Sequence, residues 1–337
     1  MRSPSVSTPA RHTAYWSPTA AFLNIFRWRQ HIVYIDNLGV KHERWETPIP
    51  LPDPITIWSG LTLRGFFAAV IGFSAAFVDA FDYHGMGIQT IKLANYYNVS
   101  KGELTSAITV TMVCRIAGAV LCGIWADYQG RKWALCFTLW FLAVVQFATV
   151  FAGTFQQFLA IRALFGIGMG GVFGSAASFA FEEIPVDARG IFSGIFQASY
   201  SLSFLLAAVI NLIVGPEVDT WKTLFWVGGA MSFVVGIARA VFPEATIFVQ
   251  ALETSKPSAS AKNFFNGLRT MLRIEWPTFV YATWFVCWYS VFGHASGDSQ
   301  VTFLIDSKGI SYAEASRIVI ISKVGAVIGS ILIAYVR

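Results

Sequence analysis

The feature that most constrains this chain is a series of long apolar runs that carry almost no charge. A helix of about 20 residues crosses a hydrocarbon core of ~30 Å, because each residue adds about 1.5 Å. Within lipid the backbone must satisfy its own hydrogen bonds, which restricts such runs to helices. Charged residues make up only 13% of the sequence, about half of what soluble domains carry. The sequence therefore predicts an all-α integral membrane protein.

Eight membrane spans account for nearly everything after residue 60. Their predicted bounds are Phe66–Ile88, Leu104–Ala126, Trp133–Phe151, Phe158–Phe181, Ile191–Val214, Leu224–Val241, Phe279–Ile305 and Ala315–Val336. We expect four regions: a cytosolic tail (1–60), a bundle of six helices (61–243), a cytosolic linker (244–277) and two further helices (278–337). The tail segment Ala20–Ile35 mixes apolar and basic residues, which fits a flexible tail or a segment lying on the membrane surface.

The placement of positive charge orients these spans. With the amino terminus in the cytosol, fifteen Lys and Arg residues fall in cytosolic segments and five in outer loops, Lys92 and Lys101 among the five. The positive-inside rule then places both termini in the cytosol, and we expect a multi-pass protein of the plasma membrane. The basic excess thus reflects orientation in a lipid bilayer and not binding of nucleic acid. Since no metal-ligand spacing, nucleophile–base arrangement or phosphate loop is visible, we expect no metal, no cofactor and no enzymatic activity.

Arg115 and Arg162 are the cations of interest inside the predicted spans, where an uncompensated charge costs about 2.5–3.5 kcal/mol. Arg115, in the middle of the second span, could bind an anionic solute or pair with Asp79 or Asp82. Arg162, at the start of the fourth span, is more consistent with a structural role near the interface. Glycines follow it at intervals of four, at 166, 170 and 174, and predict close approach of a neighbouring helix.

Two polar clusters are candidates for proton binding. In the seventh span Ser290, His294, Asp298 and Thr302 recur at every fourth residue and would form one stripe on a helix face. A His and an Asp one turn apart within a membrane make a plausible proton-binding pair, with hydrogen bonding between helices as the alternative. The segment Asp79–His84 closes the first span and could bind protons, or could be solvated at the outer mouth.

The sequence repeats itself after six helices. The segments Arg115–Asp127 and Ser322–Ala334, on the second and eighth spans, share Gly-Ala-Val, further small residues and a cation just upstream. Parallel six-helix repeats are characteristic of one large class of secondary transporters. Because only two spans follow the first six, we expect the chain to be truncated after helix eight.

The loop between the second and third spans contains Gly123, Asp127, Gly130, Arg131 and Lys132. This spacing resembles the G-x-x-x-D-x-x-G-R-K pattern of the major facilitator superfamily. The resemblance implies the superfamily's fold, here as a six-helix bundle plus the first two helices of the second bundle. It also implies that the loop latches the cytosolic helix ends as a carrier rocks.

A closer resemblance is to the fungal Jen-type monocarboxylate–proton symporters. It is carried by the segments Asp79–His84, Ala107–Leu135, Phe155–Gly171 and Glu183–Gln197, among others. The family's helix-seven pattern, N-x-x-[ST]-H-x-[ST]-Q-D-x-x-x-T, is matched at His294, Ser296, Asp298 and Thr302, whereas Ser290, Gly293 and Gly297 depart from it.

The Jen-type resemblance implies symport of a small carboxylate anion, such as lactate or pyruvate, with a proton. It implies that Arg115 and the helix-seven residues Ser290, His294, Ser296, Asp298 and Thr302 bind the solute. His294, Asp298 and Asp82 would take the proton. The three departures leave open a carrier of another solute, such as a sugar or another organic acid. A truncated membrane protein that does not transport is the remaining alternative.

Overall fold

The computed structural model describes residues 30–35, 41–46, 61–185, 188–215, 217–244, 269, 273, 276–297 and 300–336. For residues 30–35, 41–46, 127–129, 295–297, 302 and 333–336 it describes the backbone alone. Most of the predicted tail and linker therefore lies outside the described residues.

A two-stranded antiparallel sheet lies within the predicted tail, where the sequence predicts a flexible or membrane-surface segment. Strand β1 (Gln30–Ile35) pairs with β2 (Lys41–Glu46), with Gln30 opposite Glu46 and Ile35 opposite Lys41. The cause is local: Ile32, Val33 and Tyr34 have high β propensity, and the intervening sequence contains Asn and Gly. Basic residues nearby obscured this pattern.

Helices form nearly all the remaining described chain. They are α1 (Leu63–Ile88), α2 (Thr90–Tyr97), α3 (Lys101–Gln129), α4 (Arg131–Val150), α5 (Phe155–Glu182), α6 (Arg189–Val214), α7 (Trp221–Val241), α8 (Trp276–Gly297), α9 (Gln300–Asp306) and α10 (Tyr312–Val336).

Most spans begin two or three residues before their predicted starts, because polar caps precede the apolar pattern. Ser100 and Glu103 form a reciprocal capping box at the start of α3, and Thr154 and Gln157 form another before α5. Such caps satisfy backbone N–H groups that the first helical turn leaves without partners. The hydrophobic pattern alone cannot locate these residues.

Seven helices in the described part of the chain are long and apolar enough to cross a membrane: α1, α3 to α7, and α10. The predicted seventh span is described as two helices, α8 and α9, with residues 298 and 299 between them outside the described residues. Helix α8 has 22 residues, a length that suffices to cross the ~30 Å core. It is rich in Trp and Tyr, amphipathic side chains that favour the membrane interface and lower its hydropathy.

The first six spans pack into one bundle. Helix α3 packs along α5, α4 along α7, and α1 contacts α5, α6 and α7. The predicted glycine stripe explains the closest of these contacts, since a Cβ on Gly166 would collide with the backbone of Thr111, and one on Gly118 with that of Ile167. Gly174, by contrast, faces open space, so α3 and α5 diverge towards the motif loop.

Candidate functional site

The segment Asp79–His84 of α1 lies inside the protein and is not solvated at an outer mouth. Asp79 and Asp82 are each 2% exposed and His84 is 3% exposed. Buried carboxyl groups in a membrane protein require partners, because unpaired charge is costly there. The side chains of this segment reach different neighbouring helices, which makes α1 the centre of the candidate site.

Arg115 pairs with Asp79. Its Nη2 lies 3.2 Å from Asp79 Oδ2, and the ion pair joins α3 to α1. The Arg115 side chain remains 28% exposed, whereas that of Asp79 is 3% exposed. Arg115 also lines a cavity of about 410 Å³ between α3 and α5, together with Arg131, Ser175 and Ser178. Arg115 therefore forms an ion pair with Asp79, one of the two roles that the sequence allowed. One side of its guanidinium still faces open space.

A buried polar network surrounds Asp82. Ser232 of α7 donates a hydrogen bond of 3.3 Å to Asp82 Oδ2. From α4, Gln146 interacts with the same carboxyl group and accepts a hydrogen bond of 2.7 Å from Arg162. Sequence reasoning did not identify Gln146 and Ser232 as members of the site. The signal available for both was a neutral polar residue inside an apolar span. The network joins α1, α4, α5 and α7.

Arg162 is enclosed within the bundle, a burial that the sequence-based expectation of a position near the interface did not include. It is 0% exposed, and it donates to Gln146 and Thr149 of α4. Its guanidinium lies 4.4 Å from the centroid of the Phe165 ring, a distance typical of a cation–π contact. The charge at this position is therefore enclosed by aromatic rings and polar side chains of the bundle.

His294 of α8 contacts the first bundle through aromatic residues. Its Nδ1 lies 3.2 Å from the hydroxyl of Tyr83, and the two rings are perpendicular with centroids 5.5 Å apart. Tyr200 of α6 approaches the same imidazole edge-on at 6.4 Å. His84 in turn meets the Tyr200 ring edge-on, with ring centroids 4.4 Å apart. The structure therefore brings the predicted histidine to the buried segment of α1.

The rest of the predicted helix-seven stripe is only partly described. Ser290 is partly buried, as His294 is. Asp298 and the side chains of Ser296 and Thr302 lie outside the described residues. Their roles remain predictions.

The predicted motif loop lies at an ionic cluster. Gly130, with φ of 95°, separates α3 from α4. Arg131 pairs with Glu182 at the end of α5, and the backbone N–H of Lys132 donates a hydrogen bond of 2.9 Å to Glu244 after α7. Gly123 faces open space, and the side chain of Asp127 lies outside the described residues. The loop thus ties together the ends of α4, α5 and α7.

Lys92 is buried rather than exposed in an outer loop. It lies on α2 and is 4% exposed. Its Nζ donates hydrogen bonds to Asn211 Oδ1 at 2.8 Å, to the carbonyl of Gly215 at 2.7 Å and to Thr220 Oγ1 at 2.9 Å. Burial lowers the pKa of Lys92 from 10.5 to about 8. A sequence count of charges cannot reveal this, because α2 is too short to show a hydrophobic period.

No metal site is visible in the part of the chain that the structure describes: no group of three or more His, Cys, Asp or Glu side chains is arranged to hold an ion. The ionisable groups instead pair with one another or with neutral polar side chains.

The curated relatives of this chain that we compared are named as transporters. The chain is 27% identical over 311 residues to a carboxylic acid transporter protein homolog of Saccharomyces cerevisiae, covering 88% of this chain and 50% of that protein. It is 25% identical to a gentisate transporter of Corynebacterium glutamicum, covering 82% of this chain and 62% of that one. The chain spans about half the length of several curated relatives that it matches.

The fold and the family agree. A crystal structure of a D-xylose–proton symporter matches with a TM-score of 0.58 at 17% identity, covering 77% of this chain and 66% of that one. Residues 58–337 match the profile of the Major Facilitator Superfamily. With its spans, its internal repeat and its motif loop, this chain belongs to the major facilitator superfamily.

Proposed function

We propose that this protein is part of a carrier that moves small carboxylates across a lipid bilayer together with a proton, as the Jen-type resemblance suggests. The observation that carries the proposal is the ion pair of Arg115 with Asp79, which places a partly exposed cation beside a buried acid. In this proposal Arg115 binds the carboxylate of the solute. Asp82, His294 and Asp298 take the proton, while Ser290, Ser296 and Thr302 form hydrogen bonds to the solute.

Charge explains why a proton should accompany the solute. A short carboxylic acid has a pKa near ~4 and is an anion at neutral pH. Moving that anion inwards against the membrane potential costs about 2.3 kcal/mol per 100 mV. One proton carried with it cancels this charge, so an inward proton gradient can drive accumulation.

The geometry suggests how the two ligands are coupled. Asp79 holds one side of the Arg115 guanidinium, with 3.2 Å between Nη2 and Oδ2, while Arg115 also lines an open cavity. In this scheme the carboxylate binds at that open side, and the proton taken by Asp82, His294 or Asp298 balances its charge. Binding without a proton is disfavoured, because it leaves an uncompensated negative charge within the membrane.

The relatives support the class of solute. Two of them are named for a carboxylic acid and for gentisate. In this chain aromatic side chains, namely Tyr83, Tyr200 and Phe204, surround His84 and His294. Such surfaces accommodate the apolar part of a ligand, so aromatic as well as aliphatic acids belong in the test.

Uptake into vesicles tests this function. A version of the carrier with a complete second bundle would be purified, reconstituted and given an inward proton gradient, with labelled lactate, pyruvate or benzoate outside. We expect saturable uptake that collapses with the gradient and is lost in Asp298→Asn and His294→Ala. Asp219→Asn, at an exposed turn before α7, is the matched control and should leave uptake unchanged. Unaltered rates and pH dependence in both site variants would contradict the proposed roles.

A further inference from the structure

The hydrogen bond between Tyr83 and His294 joins two parts of the fold. Tyr83 belongs to α1 of the first bundle and is 6% exposed. His294 belongs to α8, beyond the linker, and is partly buried. The hydroxyl oxygen and Nδ1 are 3.2 Å apart, and the perpendicular rings hold them in contact.

The chemistry of the two groups decides which one donates. A neutral imidazole carries one N–H and one nitrogen with a free lone pair. That nitrogen has a pKa near ~6.5 when protonated, so it is a far better acceptor than a phenol oxygen. The phenol O–H is in turn a good donor. The favoured arrangement therefore has the Tyr83 hydroxyl donating to Nδ1, with the imidazole proton on Nε2.

We propose that Tyr83 is a positioning residue that fixes the tautomer and orientation of His294. The inference rests on the proposed function in one respect, namely that His294 exchanges a proton during transport. With Nδ1 accepting from Tyr83, the neutral histidine carries its proton on Nε2, and a second proton must enter at Nδ1 by displacing the Tyr83 hydrogen bond. Protonation of His294 and separation of α8 from α1 are then linked events.

Rings and one cation from three helices also lie around His294. From α1, His84 packs against the Tyr83 ring at 5.4 Å. From α6, Tyr200 meets the imidazole with its ring. From α10, Lys323 lies 4.3 Å over the ring of Phe204, which packs on His84. Among these contacts only that of Tyr83 is a hydrogen bond to an imidazole nitrogen of His294.

Nitrogen-15 NMR of histidine-labelled protein in lipid discs tests the assignment without requiring transport. The two ring nitrogens of a neutral histidine have distinct shifts, so their ratio reports the tautomer. A His294→Gln sample identifies the signals of this residue, and those of His84 serve as an internal reference. We expect wild-type His294 to carry its proton on Nε2 at high pH.

The variant Tyr83→Phe keeps the ring and removes the hydroxyl. It should lower the ratio of the Nε2–H to the Nδ1–H tautomer of His294 by a factor of about 2 to 10, the size expected for one hydrogen bond. The control is Tyr289→Phe on α8, because Tyr289 also contacts the first bundle, through a hydrogen bond of 3.2 Å from Gln197, without touching His294. This control should leave the ratio unchanged.

Two results would overturn the proposal. One is a wild-type His294 with its proton on Nδ1, a measurement that needs no variant to fold. The other is an identical tautomer ratio in wild type and Tyr83→Phe. Loss of the proposed transport function would show differently, as uptake that is indifferent to His294→Ala while the tautomer still depends on Tyr83.

Discussion

Asp79 and Arg115 face each other across the contact between α1 and α3, with 3.2 Å between Oδ2 and Nη2. Asp79 Oδ1, the other carboxylate oxygen, has no hydrogen-bond partner among the described residues. A membrane protein keeps such a pair when the two charges compensate each other or when one of them is used. Both explanations lead to measurable consequences.

Removing one partner should destabilise the bundle more than removing both. Asp79→Asn leaves the Arg115 charge uncompensated, and we expect a loss of about 2–3 kcal/mol, below the 3–5 of fully buried pairs because Arg115 is partly exposed. The double variant Asp79→Asn with Arg115→Met should be more stable than the sum of the single changes predicts. Denaturant unfolding in detergent measures all three, and strict additivity would show that the pair contributes nothing.

Close packing between α3 and α5 gives a second prediction. A Cβ on Gly118 would collide with the backbone of Ile167, whereas Gly174 faces open space. Gly118→Ala should therefore lower the thermal midpoint, because backbone atoms must move apart to admit the methyl group. Gly174→Ala, on the partner helix, should be neutral or raise it slightly, since Ala has the better helix propensity. Equal midpoints for the two variants would contradict the contact.

The spans were predictable because their signal is local and repeated. A charge-free run long enough for the bilayer leaves the backbone no alternative to a helix, so predicted and observed bounds of the first six spans agree within about three residues. The depth of Arg162 was not predictable, since its partners Gln146 and Thr149 lie on another helix and meet it only in the bundle. The burial of Lys92 was equally unpredictable, because its hydrogen-bond acceptors come from the distant segment 211–220.

Burial of Lys92 should make stability depend on pH in the alkaline range. Its pKa is about 8 in the folded protein against 10.5 for the ordinary side chain. Between these values the unfolded chain binds more protons than the folded one, so this residue makes the folded state progressively more stable as pH rises from about 8 to 10.5. Lys92→Met should remove that rise. Unfolding midpoints at pH 7.5, 9 and 10 would measure it, with Lys308→Met at an exposed position as control. A slope that survives in Lys92→Met would rule out this residue as its source.

Topology depends on whether α8 crosses the membrane. If α8 spans together with the seven helices of sufficient hydropathy, the number of spans is even, and we expect residues 1 and 337 on the same, cytosolic side. Protease-accessible tags at these two positions would report the side directly in sealed membranes. A cytosolic tag at residue 1 with an outer tag at residue 337 would show that α8 does not span.

The pair of Lys101 and Asp306 gives the last prediction. These side chains form an ion pair between the first residue of α3 and the last residue of α9, so they tie the second helical segment to the first bundle. Both are exposed, and such pairs contribute only about 0–1 kcal/mol to stability.

The proximity of the two positions can be tested by cross-linking. Lys101→Cys with Asp306→Cys, in a background without native cysteines, should cross-link readily with a short bifunctional reagent. Lys101→Cys with Lys308→Cys is the matched control, since Lys308 points its ammonium towards the Phe303 ring and should react more slowly. In a carrier that alternates access, separation of the two segments would break this contact, so a carboxylate ligand with an acidic pH shift should change the cross-linking rate. Equal rates for the two cysteine pairs would show that α9 does not rest on the start of α3.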